Sequence, residues 1–126
     1  MKKGGKMVNS SILLEDDDIQ FLEATEYMLK YENYDVITAK NGEEAIKKYK
    51  ESSPDIVLMD LKMPVMNGYD AFFKIKKEDP DAKIVFTSAY AINNEEFVKA
   101  KKSGLKGLLT KPFDLDELNS MIESKS

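Results

Sequence analysis

The sequence predicts an α/β domain whose doubly wound, five-stranded parallel sheet lies between two layers of helices. Two observations support this fold class. Short apolar runs alternate five times with segments in which apolar residues recur at helical spacing, which is typical of βα units joined by right-handed crossovers. The run at residues 56–59 is apolar throughout, as expected of a strand covered on both faces.

Five apolar runs are predicted as strands because each is short and is bounded by polar or turn-forming residues. The predicted strands cover residues 11–14, 34–38, 56–59, 83–87 and 107–109.

The first two helices follow the first two strands. Phe21, Met28 and Leu29 belong to an apolar stripe at helical spacing, which predicts the first helix. Asn41 with Glu44 three residues later matches a capping box, which predicts the start of the second.

For each of the last three helices, the sequence marks where the helix begins or ends. The third covers residues 68–78 and ends before Pro80, because proline restricts the residue that precedes it. Asn93 or Asn94 is predicted to cap the fourth, and Asp114 the fifth.

The length indicates one domain, from which the first ten residues are excluded. A chain of 126 residues is long enough to bury a substantial core. Residues 1–10 are basic and glycine-rich and lack the apolar segment of a signal peptide. We interpret them as a disordered tail or a remnant of cloning, and we place the domain at residues 11–124.

Composition excludes several functions. Without cysteine the chain forms no disulfide, which favours the cytoplasm, and without histidine it is not a phosphohistidine donor. A net charge of −4, from 19 basic and 23 acidic residues, argues against direct nucleic-acid binding. No apolar stretch approaches the roughly 18 residues that span a membrane.

Reactive side chains follow four of the predicted strands. The acidic run at residues 15–18 follows the first, Asp60 the third and Lys111 the fifth, while Thr87-Ser88 supplies hydroxyl groups where the fourth ends. In strand order 2-1-3-4-5 these ends border the ligand crevice. Clustered carboxylates need a cation, and an oxygen-only ligand set favours Mg²⁺. A carboxylate, a metal, a hydroxyl and an ammonium together are typical of a phosphoryl-transfer site.

These motifs resemble the receiver domain of bacterial two-component response regulators, from Ser11 onward. The matching segments are ILLEDDD, NGEEAI, DIVLMDLKMPVMNG, TSA and LLTKPFDLDEL. The resemblance implies a flavodoxin-like sheet, and it implies that Asp60 accepts a phosphoryl group from a sensor histidine kinase or a phosphotransfer protein. It also implies that Ser88 and Lys111 bind the phosphoryl oxygens, that the Lys111–Pro112 peptide is cis, and that an acid pair, Asp60 and the main-chain carbonyl of Lys62 hold Mg²⁺.

The acidic run leaves the metal-binding pair open. The family usually has an aliphatic residue before two acids, whereas Leu14 here precedes one glutamate and three aspartates. Spacing favours Asp16 and Asp17 as the pair and puts Glu15 in a usually apolar position. A shift of one residue would select Glu15 and Asp16 instead.

Three alternatives share parts of this pattern. A flavodoxin-type FMN protein needs a loop after the first strand that cradles phosphate, and the acids here would repel it. A haloacid-dehalogenase-type phosphatase carries a second aspartate two residues after the first, where this chain has Lys62. A degenerate receiver that serves only as a docking module remains open.

Three further residues are predicted to modulate the site. Lys62 and Tyr90 flank the phosphoryl position, so we expect slow hydrolysis of a stoichiometric phosphoprotein rather than enzymatic turnover. Leu108 replaces the aromatic residue common in relatives. We therefore expect the loop at residues 89–94 to carry the switch, with helix four, strand five and helix five facing a protein target or a second copy of the chain.

Overall fold

The strands and helices alternate without exception through the described chain. The structure, a computed structural model, describes residues 10–62, 67–92 and 94–123. Its strands are β1 (Ser11–Glu15), β2 (Asp35–Ala39), β3 (Ile56–Asp60), β4 (Ile84–Ser88) and β5 (Gly107–Thr110). Its helices are α1 (Ile19–Tyr31), α2 (Gly42–Ser52), α3 (Gly68–Glu78), α4 (Glu95–Lys102) and α5 (Leu115–Glu123).

The sheet is parallel and has the order β2-β1-β3-β4-β5, so the predicted doubly wound, flavodoxin-like fold is confirmed. Glu15 pairs with Met59, Asp60 pairs with Thr87, and Ser88 pairs with Thr110. The carboxyl ends of β1, β3, β4 and β5 therefore meet at one edge of the sheet.

Several strands extend further than the apolar runs predicted. β1 includes Glu15, because this residue pairs with Ala39 on one side and Met59 on the other. β3 includes Asp60 and β4 includes Ser88. Polar residues at these positions are backbone-paired members of the sheet, which a hydropathy pattern does not reveal.

The sheet separates two apolar layers, because successive side chains on a strand face opposite sides. Leu13, Val57 and Phe86 belong to the cluster that contacts α3. Leu14 and Leu58 belong to the cluster on the opposite face, with residues of α1 and α5. Both faces of the central strands are thus buried, as the continuous apolar run of β3 predicted.

Helices α2, α4 and α5 begin at side-chain caps that the sequence predicted. Asn41 accepts a hydrogen bond from the main-chain N–H of Glu44 at 2.8 Å. Asn94 caps α4, while Asn93, the alternative cap, lies outside the described residues. Asp114 and Glu117 form the reciprocal pair of a capping box, with distances of 2.8 and 3.0 Å.

The predicted tail lies outside the described residues except for Ser10. The carbonyl of Ser10 accepts a hydrogen bond from Asp35 N–H at 3.0 Å, so this residue already contacts the sheet. Within the described ranges, no helix combines the length and the apolar character needed to cross a membrane.

Candidate functional site

Three carboxylates converge where β1 and β3 end. Asp16 and Asp17 follow β1, Asp60 ends β3, and one oxygen from each lies within 4.8 Å of the others. Asp16 and Asp60 are buried, whereas Asp17 is exposed. Like charges this close repel one another, so the group requires a compensating cation.

A tight turn after β1 fixes the acids. The main-chain N–H of Asp16 donates to the Ala39 carbonyl at 3.1 Å, and one oxygen of its carboxylate accepts from Asp18 N–H at 2.9 Å. Asp18 in turn caps α1 by accepting from Phe21 N–H at 3.2 Å. The start of α1 therefore holds Asp16 against the end of β3.

Lys111 is the cation that contacts this group within the described chain. Its Nζ lies 2.5 Å from Asp16 Oδ2 and 3.4 Å from Asp60 Oδ1. Burial alone would lower the pKa of Lys111, but its contacts with Asp16 and Asp60 outweigh burial and raise the pKa. The peptide bond between Lys111 and Pro112 is cis, as the resemblance implied.

One ammonium does not balance the acids. Burial, followed by repulsion from Asp16, raises the pKa of the Asp60 carboxyl to about 6, although Lys111 and a main-chain hydrogen bond from Lys62 oppose the rise. Three carboxylates thus face one ammonium, and one of the three, that of Asp17, is exposed. Such a set of oxygen ligands suits a hard divalent cation. The residues present therefore fit Mg²⁺.

The acids open into a cleft of about 410 Å³ that also contains a hydroxyl group. Ser88, at the end of β4, accepts a hydrogen bond from Tyr90 N–H at its Oγ, at 3.1 Å. The cleft is lined by Asp16, Asp17, Asp18, Asp60, Lys62, Ser88, Ala89, Tyr90 and Lys111.

The three predicted modulating residues occupy different places. Lys62 and the 68% exposed Tyr90 line the cleft. Leu108 lies on β5 opposite Phe86, is half-buried, and packs against the apolar cluster that contacts α3. It is not among the residues that line the cleft.

Glu15 is separate from the converging carboxylates. Its side chain is 1% exposed, and its Oε1 accepts a hydrogen bond from the main-chain N–H of Asp60 at 3.0 Å. Oε2 has no hydrogen-bond partner among the described residues. Burial raises the pKa of Glu15 to about 8, against the lowering effect of the Asp60 hydrogen bond. The geometry thus brings together Asp16 and Asp17, rather than Glu15 and Asp16.

Phe21 is a site neighbour that sequence reasoning assigned only to the apolar face of α1. Its ring centroid lies 4.3 Å from Lys111 Nζ. The sequence carries no local signal for this contact, because the two residues belong to opposite ends of the chain.

Comparisons with known proteins agree with this geometry. The model of the response regulator receiver domain family matches residues 12–123. Chemotaxis protein CheY of Listeria monocytogenes is 36% identical over 113 residues, which cover 89% of this chain and 94% of that protein. Chemotaxis protein CheY of Thermotoga maritima is 51% identical over 75 residues, or 60% of this chain, and the match spans 62% of that protein.

A solved structure shows the same fold. The crystal structure of response regulator TrrA from Thermotoga maritima, in complex with Mg²⁺-BeF, is similar to this chain with a TM-score of 0.78 and 31% identity, covering 90% of this chain and 96% of that one. The family match includes all three converging acids, Ser88 and Lys111. The chain therefore belongs to the response regulator receiver domain family, whose members act in phosphorelay signalling.

Proposed function

We propose that Asp60 is the phosphoacceptor of this receiver domain. The observation that carries the proposal is the convergence of Asp60 with Asp16, Asp17 and the ammonium of Lys111 in one cleft. Asp60 is the acid at the end of the central strand β3, where a doubly wound sheet binds its ligands.

The proposed reaction is a displacement at phosphorus. A carboxylate oxygen of Asp60 forms a bond to the phosphorus of a phosphohistidine, the P–N bond breaks, and its electron pair stays on the imidazole nitrogen, which takes a proton from solvent. Lys111 and the Ser88 hydroxyl donate hydrogen bonds to the phosphoryl oxygens. These contacts stabilise the transferred charge by positioning and neutralisation.

The carboxylates of Asp16, Asp17 and Asp60 and the main-chain carbonyl of Lys62 would hold Mg²⁺ in this proposal. When bound, Mg²⁺ supplies positive charge that neutralises the carboxylates and the phosphoryl oxygens. The Mg²⁺-BeF complex of TrrA supports the choice of Mg²⁺ as the ion. Glu15 would be the alternative ligand in a register shifted by one residue, but its hydrogen bond to Asp60 N–H argues against that register.

The unit that carries this function is proposed to be residues 11–124. We propose that its phosphodonor is a sensor histidine kinase or a phosphotransfer protein in the cytoplasm. The domain would be modified once per cycle and would dephosphorylate slowly, rather than turn over substrate.

Lys62 and Tyr90 are proposed to slow hydrolysis of the aspartyl phosphate. Both line the cleft, where long side chains obstruct the in-line approach of water. Replacement of both residues by alanine should change the dephosphorylation rate, measured as loss of the phosphoryl mass with time. An unchanged rate would remove them from the mechanism.

A small acyl phosphate with Mg²⁺ tests the phosphoacceptor directly. Intact mass should increase by one phosphoryl group in the wild type and in Asp70→Asn, an exposed aspartate on α3 that serves as the matched control. Asp60→Asn should abolish uptake, and EDTA should prevent it. Uptake that persists in Asp60→Asn would reject the assignment, and no uptake by the wild type would favour a docking module.

A further inference from the structure

An aromatic ring lies against the ammonium of the site lysine. Phe21, on α1, is half-buried, and its ring centroid is 4.3 Å from Lys111 Nζ. Phe113 packs edge-on against the same ring, with centroids 6.0 Å apart and planes at 84°. Phe113 follows Lys111 by two residues, so the segment after β5 contacts α1 both through the lysine and through this second ring.

This contact is attractive because the face of an aromatic ring is electronegative. A lysine ammonium within about 6 Å of a ring centroid gains roughly 0.5–1 kcal/mol at exposed sites and more when water is excluded. The side chain of Lys111 is 21% exposed, so water is largely excluded from it. The long lysine stem is otherwise flexible, and a fixed ring therefore limits the positions that its ammonium adopts.

We propose that Phe21 is a positioning residue that holds the Lys111 ammonium at the cleft through its ring face. The inference rests on the proposed function, because the position matters only if Lys111 binds phosphoryl oxygens. Among the described residues, three groups hold the ammonium, namely the ring and the Asp16 and Asp60 carboxylates, and without the ring one of them would be lost.

A second phenylalanine provides a matched control. Phe73, on α3, is also half-buried and has a lysine, Lys99, over its ring at 5.9 Å. Phe73 does not line the cleft. Phe73→Leu therefore removes a similar ring and a similar cation contact at a different place.

The first measurement is the rate of phosphorylation by a small acyl phosphate with Mg²⁺. A small donor removes any effect of Phe21 on docking of a protein donor. Phe21→Leu should lower the rate about two- to fivefold, whereas Phe21→Tyr, which keeps the ring face, and Phe73→Leu should stay near the wild-type rate. Equal rates for Phe21→Leu and wild type, or an equal loss in Phe21→Tyr, would overturn the proposal.

The second measurement does not depend on phosphorylation. The Cε protons of Lys111 should show an upfield ring-current shift in the NMR spectrum that disappears in Phe21→Leu. A double-mutant cycle with Lys111→Gln should give a coupling of about two- to fivefold in the unfolding equilibrium constant. No shift and no coupling would refute the contact. If the ring-current shift and the coupling are both observed but the protein takes up no phosphoryl group, the contact stands and the proposed function is rejected.

Discussion

The ammonium of Lys111 lies closer to Asp16, at 2.5 Å, than to the proposed phosphoacceptor Asp60, at 3.4 Å. Asp16 is 1% exposed, so its charge has little access to solvent. Before a metal or a phosphoryl group is bound, Lys111 is thus the counter-ion of a buried acid. The lysine that we propose binds the phosphoryl group is therefore also expected to stabilise the metal-free domain.

We expect Lys111→Met to destabilise the domain in EDTA by about 2 kcal/mol. Removal of one partner from a fully buried ion pair costs about 3–5 kcal/mol, and the 21% exposure of Lys111 reduces that cost. Urea unfolding measures the loss. Added Mg²⁺ should restore part of it, because a bound cation would compensate the same carboxylates.

Lys50→Met is the matched control for this prediction. Lys50 pairs with Glu78 at 3.2 Å, but the two side chains are 57% and 54% exposed, so the loss should stay below about 1 kcal/mol. If Lys111→Met is as stable as wild type in EDTA, Lys111 is not the counter-ion that the geometry suggests.

The acid pair can be tested by titration with Mg²⁺. Asp17→Ala should weaken binding most, by about tenfold or more, because its carboxylate is exposed and belongs to the converging group. Asp16→Ala should have a smaller effect, since Lys111 already compensates Asp16. Glu15→Ala should weaken binding least, and calorimetry should show this order. A largest effect for Glu15→Ala would shift the metal-binding pair by one residue.

Glu15 should make the stability of the metal-free domain depend on pH. Burial raises its pKa from 4.5 to about 8 in the folded protein. Its contribution to stability is complete below pH 4.5, where both states are protonated, and is lost as pH rises toward 8, because the unfolded chain then releases a proton that the folded one retains. Glu15→Met removes this effect but leaves the Asp60 N–H without its acceptor. Because the linkage from the shift of Glu15 exceeds that cost, the variant is expected to be more stable than wild type at pH 8, by about 1–3 kcal/mol.

Urea unfolding in EDTA at pH 5 and pH 8 measures this difference. The advantage of Glu15→Met should shrink at pH 5. Glu51→Met, at an exposed position of α2, should keep the wild-type pH dependence. An advantage of Glu15→Met that is the same at both pH values would show that Glu15 does not titrate as its burial indicates.

Part of this site could be predicted because it depends on strand ends. Asp60 directly follows one short apolar run and Lys111 lies two residues after another, and parallel strands bring such positions to one edge of the sheet. The direction of the Glu15 side chain could not be predicted in the same way. An acidic run after Leu14 does not reveal that its first member is paired on both sides and bonded to Asp60 N–H. The contact between Phe21 and Lys111 could not be predicted either, because it depends on the packing of α1 against the segment after β5.

The read-out is predicted to begin at the hydrogen bond between Ser88 and Tyr90. Ser88 Oγ accepts from Tyr90 N–H at 3.1 Å. A phosphoryl group brings three acceptor oxygens and about −1.5 to −2 charges, so the Ser88 hydroxyl should turn toward it and release Tyr90 N–H. The loop at residues 89–94 would then shift, with Tyr90 as its mobile aromatic, because Leu108 is apolar, half-buried and packed against the apolar cluster.

Amide exchange with and without Mg²⁺ and beryllium fluoride, a phosphoryl mimic, tests this path. Exchange should change at Tyr90 and through α4 and β5, which together with α5 form the surface that we propose meets a protein target or a second copy of the chain. Helix α2 serves as the unaffected reference. Ser88→Ala should remove the change at Tyr90 while mimic binding persists, since Asp60 and Lys111 remain. If protection changes only in the loop after Asp60, with residues 89–110 as in the free protein, the switch does not run through Ser88. The same outcome would also reject a two-state shift of α4 and β5 on binding of the mimic.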